Sequence, residues 1–268
     1  EINFRYQLLL ACLRFSSRET LAYAINNYGM MASTIFYMLT YLVFIDAIFG
    51  NIKTIAGFSY NEILFMSVIN QIAFFVLWSL SMINIDKLCN DIFTGNLDLI
   101  LIKPLPHLWF LSFRSINMVD ILGSGIPSII MVLYALTIRG GVSLDLKNFL
   151  PGLLIMLLGF IITHCFQFIV SLLTFITENG KSLIRLSFEL TFFGEATPWS
   201  GYPDWFKVIG LTVIPNLFHI VLCSAVMLGK FDHPWYWVIY ALLTTIVMLY
   251  LKNYFWKIGI KHYASASS

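Results

Sequence analysis

Runs of about twenty apolar residues, the length needed to cross a hydrocarbon layer roughly 30 Å thick, recur in this sequence at 30–49, 63–83, 116–138, 149–176 and 235–250. A helix satisfies its own backbone hydrogen bonds, so such runs suit a bilayer. Composition excludes a soluble chain: 59% of the residues are hydrophobic and 11% are charged, against roughly 25% charge in soluble domains. Residues 1–268 therefore read as a single all-α transmembrane domain with room for about six or seven spans.

A net charge of +2 without any basic run argues against a nucleic-acid partner. Cys12, Cys89, Cys165 and Cys223 lie far apart, outside any CxxC or Cys/His cluster, so they read as apolar fillers and neither a disulfide framework nor a metal site is expected. Residues 1–28 interleave Arg5, Arg14, Arg18 and Glu19 with apolar residues, which does not read as a cleavable signal.

One span is ambiguous. Segment 182–201 contains Arg185, Glu189 and Glu195, while 204–229 is apolar but interrupted by Pro215-Asn216. Either choice gives six crossings and puts both termini on one side. Cytoplasmic termini place Arg5, Arg14, Arg18, Lys87, Lys103, Arg114, Lys181, Arg185, Lys252, Lys257 and Lys261 inside. Only Lys53, Arg139, Lys147, Lys207 and Lys230 then lie outside, as the positive-inside bias requires. Trp199, Trp205, Trp235 and Trp237 are expected at the outer interface, with Trp109 and Trp256 at the inner one.

The polar break at 84–107 is the most informative stretch. Ile85, Leu88, Cys89, Ile92 and Phe93 recur at helical spacing; Asp86, Lys87, Asn90 and Asp91 take the other face, and Gly95 stands where a helix stops. The pattern predicts a short amphipathic helix across the membrane surface, followed by an apolar stretch closed by Pro104 and Pro106. By itself it fits a partnerless interfacial helix equally well.

Gly95-Asn96-Leu97-Asp98 followed by Leu101-Ile102-Lys103-Pro104-Leu105 resembles the G-x-L-D … L-x-K/R-P-L signature of a branch of the type-2 ABC permeases, six-span export permeases. The opening of the second span (Ala56-Gly57-Phe58-Ser59 to Glu62-Ile63-Leu64), the Pro198…Tyr202-Pro203…Trp205…Pro215 segment and the C-terminal Trp256 to Tyr263 agree with it. The resemblance implies an N-terminal interfacial helix within 1–28, a coupling helix in 84–107, 182–201 as span five and a re-entrant external pair of helices at 203–229. It makes Ile85, Asp86, Lys87, Leu88, Asp91, Ile92, Gly95, Leu97, Asp98, Lys103 and Pro104 the ATPase-coupling residues. The implied partners are two copies of a separate ATPase, which carries ATP and Mg, a second or sister permease, and the lipid bilayer. The implied place is the cytoplasmic membrane.

The chain is not expected to hold a motor of its own. Gly180-Lys181-Ser182 matches the end of a P-loop, but Phe175 stands at its first glycine and a membrane helix precedes it. Nor does any Ser/His/Asp or Cys/His arrangement suggest an enzyme.

Ionisable groups at membrane depth are the remaining candidates. Glu189 is placed to pair with Arg185 one turn earlier, His164 to sit neutral against a backbone or Thr group, and Asp120 to reach toward the surface or Arg114. Phe74, Phe75 and Trp78 of span two, with Phe188, Phe192, Phe193 and Glu189 of span five, make a candidate translocation path. The leading expectation is the permease subunit of an ATP-driven exporter of an amphiphilic drug, lipid-like compound or peptide. An ion- or proton-coupled secondary transporter using Glu189 and His164 is the alternative.

Overall fold

A computed structural model describes residues 7, 10–12, 14, 24–177, 180–192 and 197–263. The expected N-terminal interfacial helix falls almost wholly outside them, as do Phe193 and Glu195. The described residues form helices α1 (Ala24–Phe49), α2 (Tyr60–Thr94), α3 (Leu97–Leu101), α4 (His107–Phe113), α5 (118–138), α6 (Leu146–Phe175), α7 (Gly180–Phe192), α8 (Asp204–Thr212), α9 (Phe218–Met227) and α10 (Pro234–His262). Four stretches are long and apolar enough to cross a membrane: Tyr28–Phe49 within α1, then α2, α6 and α10. Large apolar side chains such as Phe36, Val43, Ile130, Ile138, Leu243 and Val247 face outward. A soluble monomer would not tolerate such a surface; a lipid-facing one requires it.

Local chemistry sets the helix ends. Glu62 accepts from both the backbone N–H and the hydroxyl of Ser59, closing the first turn of α2. Gly95 ends α2 at φ 76, the left-handed conformation that glycine reaches without strain. Asp145 caps α6 by accepting from Lys147 N, and Pro234 opens α10, where its missing N–H costs nothing.

At the core lies α9, a short helix, apolar but for His219 and Ser224, that is buried on every side. From Leu217 to Met227 no residue is more than 2% exposed. It nests against α6 at two glycines one heptad apart. A Cβ on Gly159 would stand 2.8 Å from His219 N, and one on Gly152 would stand 2.9 Å from Cys223 O. The turn before α9 is closed by Leu217 N donating to Gly210 O, and Asn216 Nδ2 donates to Leu190 O of α7. Segment 203–229 is thus a pair of short helices, as expected, with the second sunk into the protein.

Two other expectations change. Segment 85–93 is no separate surface helix: hydrogen bonding runs unbroken through a π turn at Trp78–Met82 into Ile83–Thr94, so it is the end of α2. Trp256, expected at an interface, is buried against Phe168 and Phe175, because it falls on the inward stripe of α10 with Ala241, Thr245, Met248, Lys252 and Gly259. In the segment expected as span five, the described residues of α7 give 13 helical residues, about 20 Å at 1.5 Å per residue.

The end of the bundle away from α3 and α4 is laced by side chains. Asn61 Nδ2 donates to Arg139 O and Gly141 O, Arg139 pairs with Asp46 at 2.9 Å, and Lys230 pairs with Glu62 at 2.6 Å. Trp199, Phe231 and Trp237 form an aromatic cluster there, with Trp205 and Trp235 exposed nearby in sequence.

Candidate functional site

The last three turns of α2 have two unlike faces. Ile85, Leu88, Cys89 and Ile92, continued by Leu97 and Ile100 of α3, pack against Leu111 of α4, Phe168 and Leu172 of α6, Ile184 of α7 and Trp256 of α10. Polar groups fasten the seam. Asn84 donates to Ser115 O at 2.7 Å and accepts from Ser115 N at 3.0 Å; Lys87 Nζ donates to Ser115 Oγ at 2.7 Å; Asp91 pairs with Arg114 at 2.5 Å. Burial, with the carboxylates of Asp98 and Asp91 nearby, pushes the Tyr263 phenol above its ordinary range.

The other face is bare. Phe93, Leu99 and Ile102 are 63%, 59% and 79% exposed, and Asp86, Asn90, Asn96, Lys103 and Pro104 are exposed around them. Of the expected coupling residues, Ile85, Leu88, Ile92 and Leu97 thus face inward, Asp91 is committed to Arg114, and Asp98 and Gly95 are half-buried. Only Asp86, Lys87, Lys103 and Pro104 lie on the outside. Leu99 and Ile102 lie in the stretch whose apolarity suits it to pack on another surface, whereas Phe93, expected on the apolar face with Ile85 and Leu88, turns outward instead.

Two cavities flank the π turn of α2. One, of about 420 Å³, lies between α1, α2 and α5 and is lined by Tyr37, Asn70, Phe74, Phe75, Trp78, Asp120 and Ser124. Asp120 is 6% exposed and accepts from the Asn117 amide and the Trp78 indole. Asn70 Oδ1 is buried without a hydrogen-bond partner. The other, of about 410 Å³, lies between α2, α4, α6 and α10 and is lined by Leu80, Ser81, Trp109, Ser112, Phe113, His164 and Lys252 among others. Lys252 Nζ reaches Ser112 Oγ at 2.7 Å and His164 Nε2 at 3.1 Å; Ser81 bridges His164 Nδ1 and Gln167 Oε1, both at 2.8 Å; Gln167 donates on to Thr191 of α7. One polar chain thereby joins five helices through an apolar interior. The π turn supplies Ser81, and such turns recur at functional sites.

The expected aromatic path is partly assembled. The Phe74 ring lies 5.1 Å from Phe192, joining α2 to α7, and is stacked on Trp78 at 5.5 Å; Phe75 is at 5.2 Å from Phe74. Phe188 instead packs on the cluster under α2's end, and Glu189 is exposed. Arg185 and Glu189 are both exposed and form no ion pair, so the expected one-turn pairing is absent. Asp120 is held by Asn117, not by Arg114, which Asp91 has taken. His164 is satisfied by Ser81 and Lys252, and no hydrogen bond links it to Glu189. Of the two residues that the proton-coupled alternative uses, Glu189 is thus exposed and His164 is engaged within the polar chain.

Among known proteins, a family model described as ABC-2 family transporter protein matches residues 35–267. No curated protein and no solved structure matches the chain.

Proposed function

Because the chain belongs to the ABC-2 family of transporter proteins, we propose that it is the permease subunit of an ATP-driven exporter, moving an amphiphilic compound outward across the cytoplasmic membrane. Permeases of this family are the transmembrane component and work with an ATPase partner. The reading takes six crossings with both termini cytoplasmic, two copies of the ATPase holding ATP and Mg, and a second copy or sister permease completing the route.

The observation that carries it is the two-faced end of α2. A coupling element must be grasped from outside and rigidly joined to the spans within. Here Phe93, Leu99, Ile102 and Lys103 offer the grip, and the seam under Ile85, Leu88, Ile92 and Leu97 reaches α6, α7 and α10. Closure of the motor would then act on four helices at once. The aromatic contact of Phe74 with Phe192 supports an apolar route beside α2 and α7 in this reading.

The test is co-purification with a candidate partner ATPase from the same genome. Leu99→Glu with Ile102→Glu should cut association and permease-dependent ATP turnover at least tenfold while leaving the permease's melting temperature unchanged. Leu88→Ala, which hollows the buried seam, should instead lower the melting temperature, by about 2–4 kcal/mol of stability. Normal association and turnover in the double variant would refute docking on this ridge.

A further inference from the structure

Lys252 is 8% exposed, and its ammonium touches Ser112 Oγ, His164 Nε2 and the face of the Phe168 ring, whose centroid is 4.3 Å away. Among the described residues no carboxylate pairs with it. Its contacts among the described residues are neutral. Ser81 spends its single proton on Gln167 Oε1, so it accepts from His164 Nδ1–H, which leaves the His164 Nε2 lone pair to face Lys252. An ammonium has three donors, and two hydrogen-bond acceptors are present. A buried cation left without counter-charge is a standing electrostatic deficit.

The cavity beside it says what would settle that deficit. Its volume of about 410 Å³ lies in the range of about 300–1,000 Å³ of ligand pockets. Its wall is otherwise mostly apolar, and Phe113, Ile161 and Leu249 at its rim are exposed on the lipid-facing surface. Depth fits: with Pro234 at one boundary of a hydrocarbon layer of roughly 30 Å, Lys252, roughly 27 Å along α10 at about 1.5 Å per residue, comes close to the other. Head groups of that leaflet lie at the same level.

We propose that this cavity binds the anionic head of an acyl amphiphile, a carboxylate or phosphate seated on Lys252, with its chain along Phe113, Ile161 and Leu249. A hydrated inorganic anion lacks the chain that the apolar wall calls for. The inference stands on the cavity and does not depend on the transport reading.

Equilibrium binding of dodecyl phosphate to the full chain in a neutral detergent tests it, with dodecylphosphocholine and inorganic phosphate as comparators. The wild type should prefer dodecyl phosphate over dodecylphosphocholine at least tenfold. Lys252→Met, which keeps the length and removes the charge, should erase that preference, and Lys252→Arg should keep it. Ile161→Trp, which crowds the rim without touching the cation, should weaken dodecyl phosphate binding, and this holds the test open were Lys252→Met not to fold. No preference in the wild type, or a preference that survives Lys252→Met, would overturn the site. Inorganic phosphate competing as well as dodecyl phosphate would overturn the acyl part and leave a soluble-anion site.

Discussion

The two cavities beside α2 are nearly equal in volume, about 420 and 410 Å³, and opposite in charge. Asp120 is satisfied by a neighbour three residues back and by Trp78 across the gap. Lys252 is held by groups 88 and 140 residues away in sequence. The first arrangement is a helix start that happens to face a cavity; the second is a tertiary knot. A buried charge therefore reports local capping in one place and global assembly in the other.

Glycines offer the largest test of that contrast. The Lys252 cavity backs onto α6, which is pinned to α9 at Gly159, where an added Cβ meets His219 backbone at 2.8 Å. On the Asp120 side, a Cβ on Gly125 meets the Phe75 side chain at 3.0 Å, and its nearest backbone atom, Asp120 O, lies at 3.4 Å, an ordinary contact. Gly159→Ala should cost about 3 kcal/mol in detergent melting and Gly125→Ala about 1 kcal/mol. Equal costs would break the comparison.

Ser112→Ala and Asn117→Ala each remove one hydrogen bond from a charge, worth about 1.5–3 kcal/mol. Amide exchange should separate them: Ser112→Ala loosens both α4 and α10, whereas Asn117→Ala frays only the first turn of α5. Exchange rising in a single helix for both would erase the distinction. The smallest effect belongs to the water-exposed end, where Lys230→Gln, which leaves Glu62 with only its Ser59 bonds, should cost about 0.5 kcal/mol and lose that cost in 0.5 M salt. A cost that persists in salt would mean that this pair, too, behaves as buried.

The same contrast decides what the sequence discloses. Five apolar runs, the stop at Gly95 and the paired short helices of 203–229 are local patterns, and the chain displays them openly. The continuity of α2 was hidden because Asn84, polar in sequence, spends its amide on Leu80 O and Ser115 O and so lies buried within the helix. Lys252 was hidden because a lysine after an apolar run reads as an inner-face charge. Its spacing from Thr245, Met248, Trp256 and Gly259 marks the buried stripe of α10, a pattern visible only once the helix is known to reach His262. Glu189 misled for the opposite reason: a carboxylate one turn from an arginine suggests a pair, yet α7 turns both outward.

At 35 residues, α2 is about 52 Å long, roughly 22 Å more than a hydrocarbon layer is thick. The surplus must protrude. Its π turn stands between an arm of 18 residues, about 27 Å, tied down at Asn61 and Glu62, and an arm of 12 residues, about 18 Å, that ends at Gly95. A rod anchored at one end and bearing on α4, α6, α7 and α10 at the other is a lever. The walls of both cavities are cut from its middle, so a tilt of that rod reshapes the two of them together.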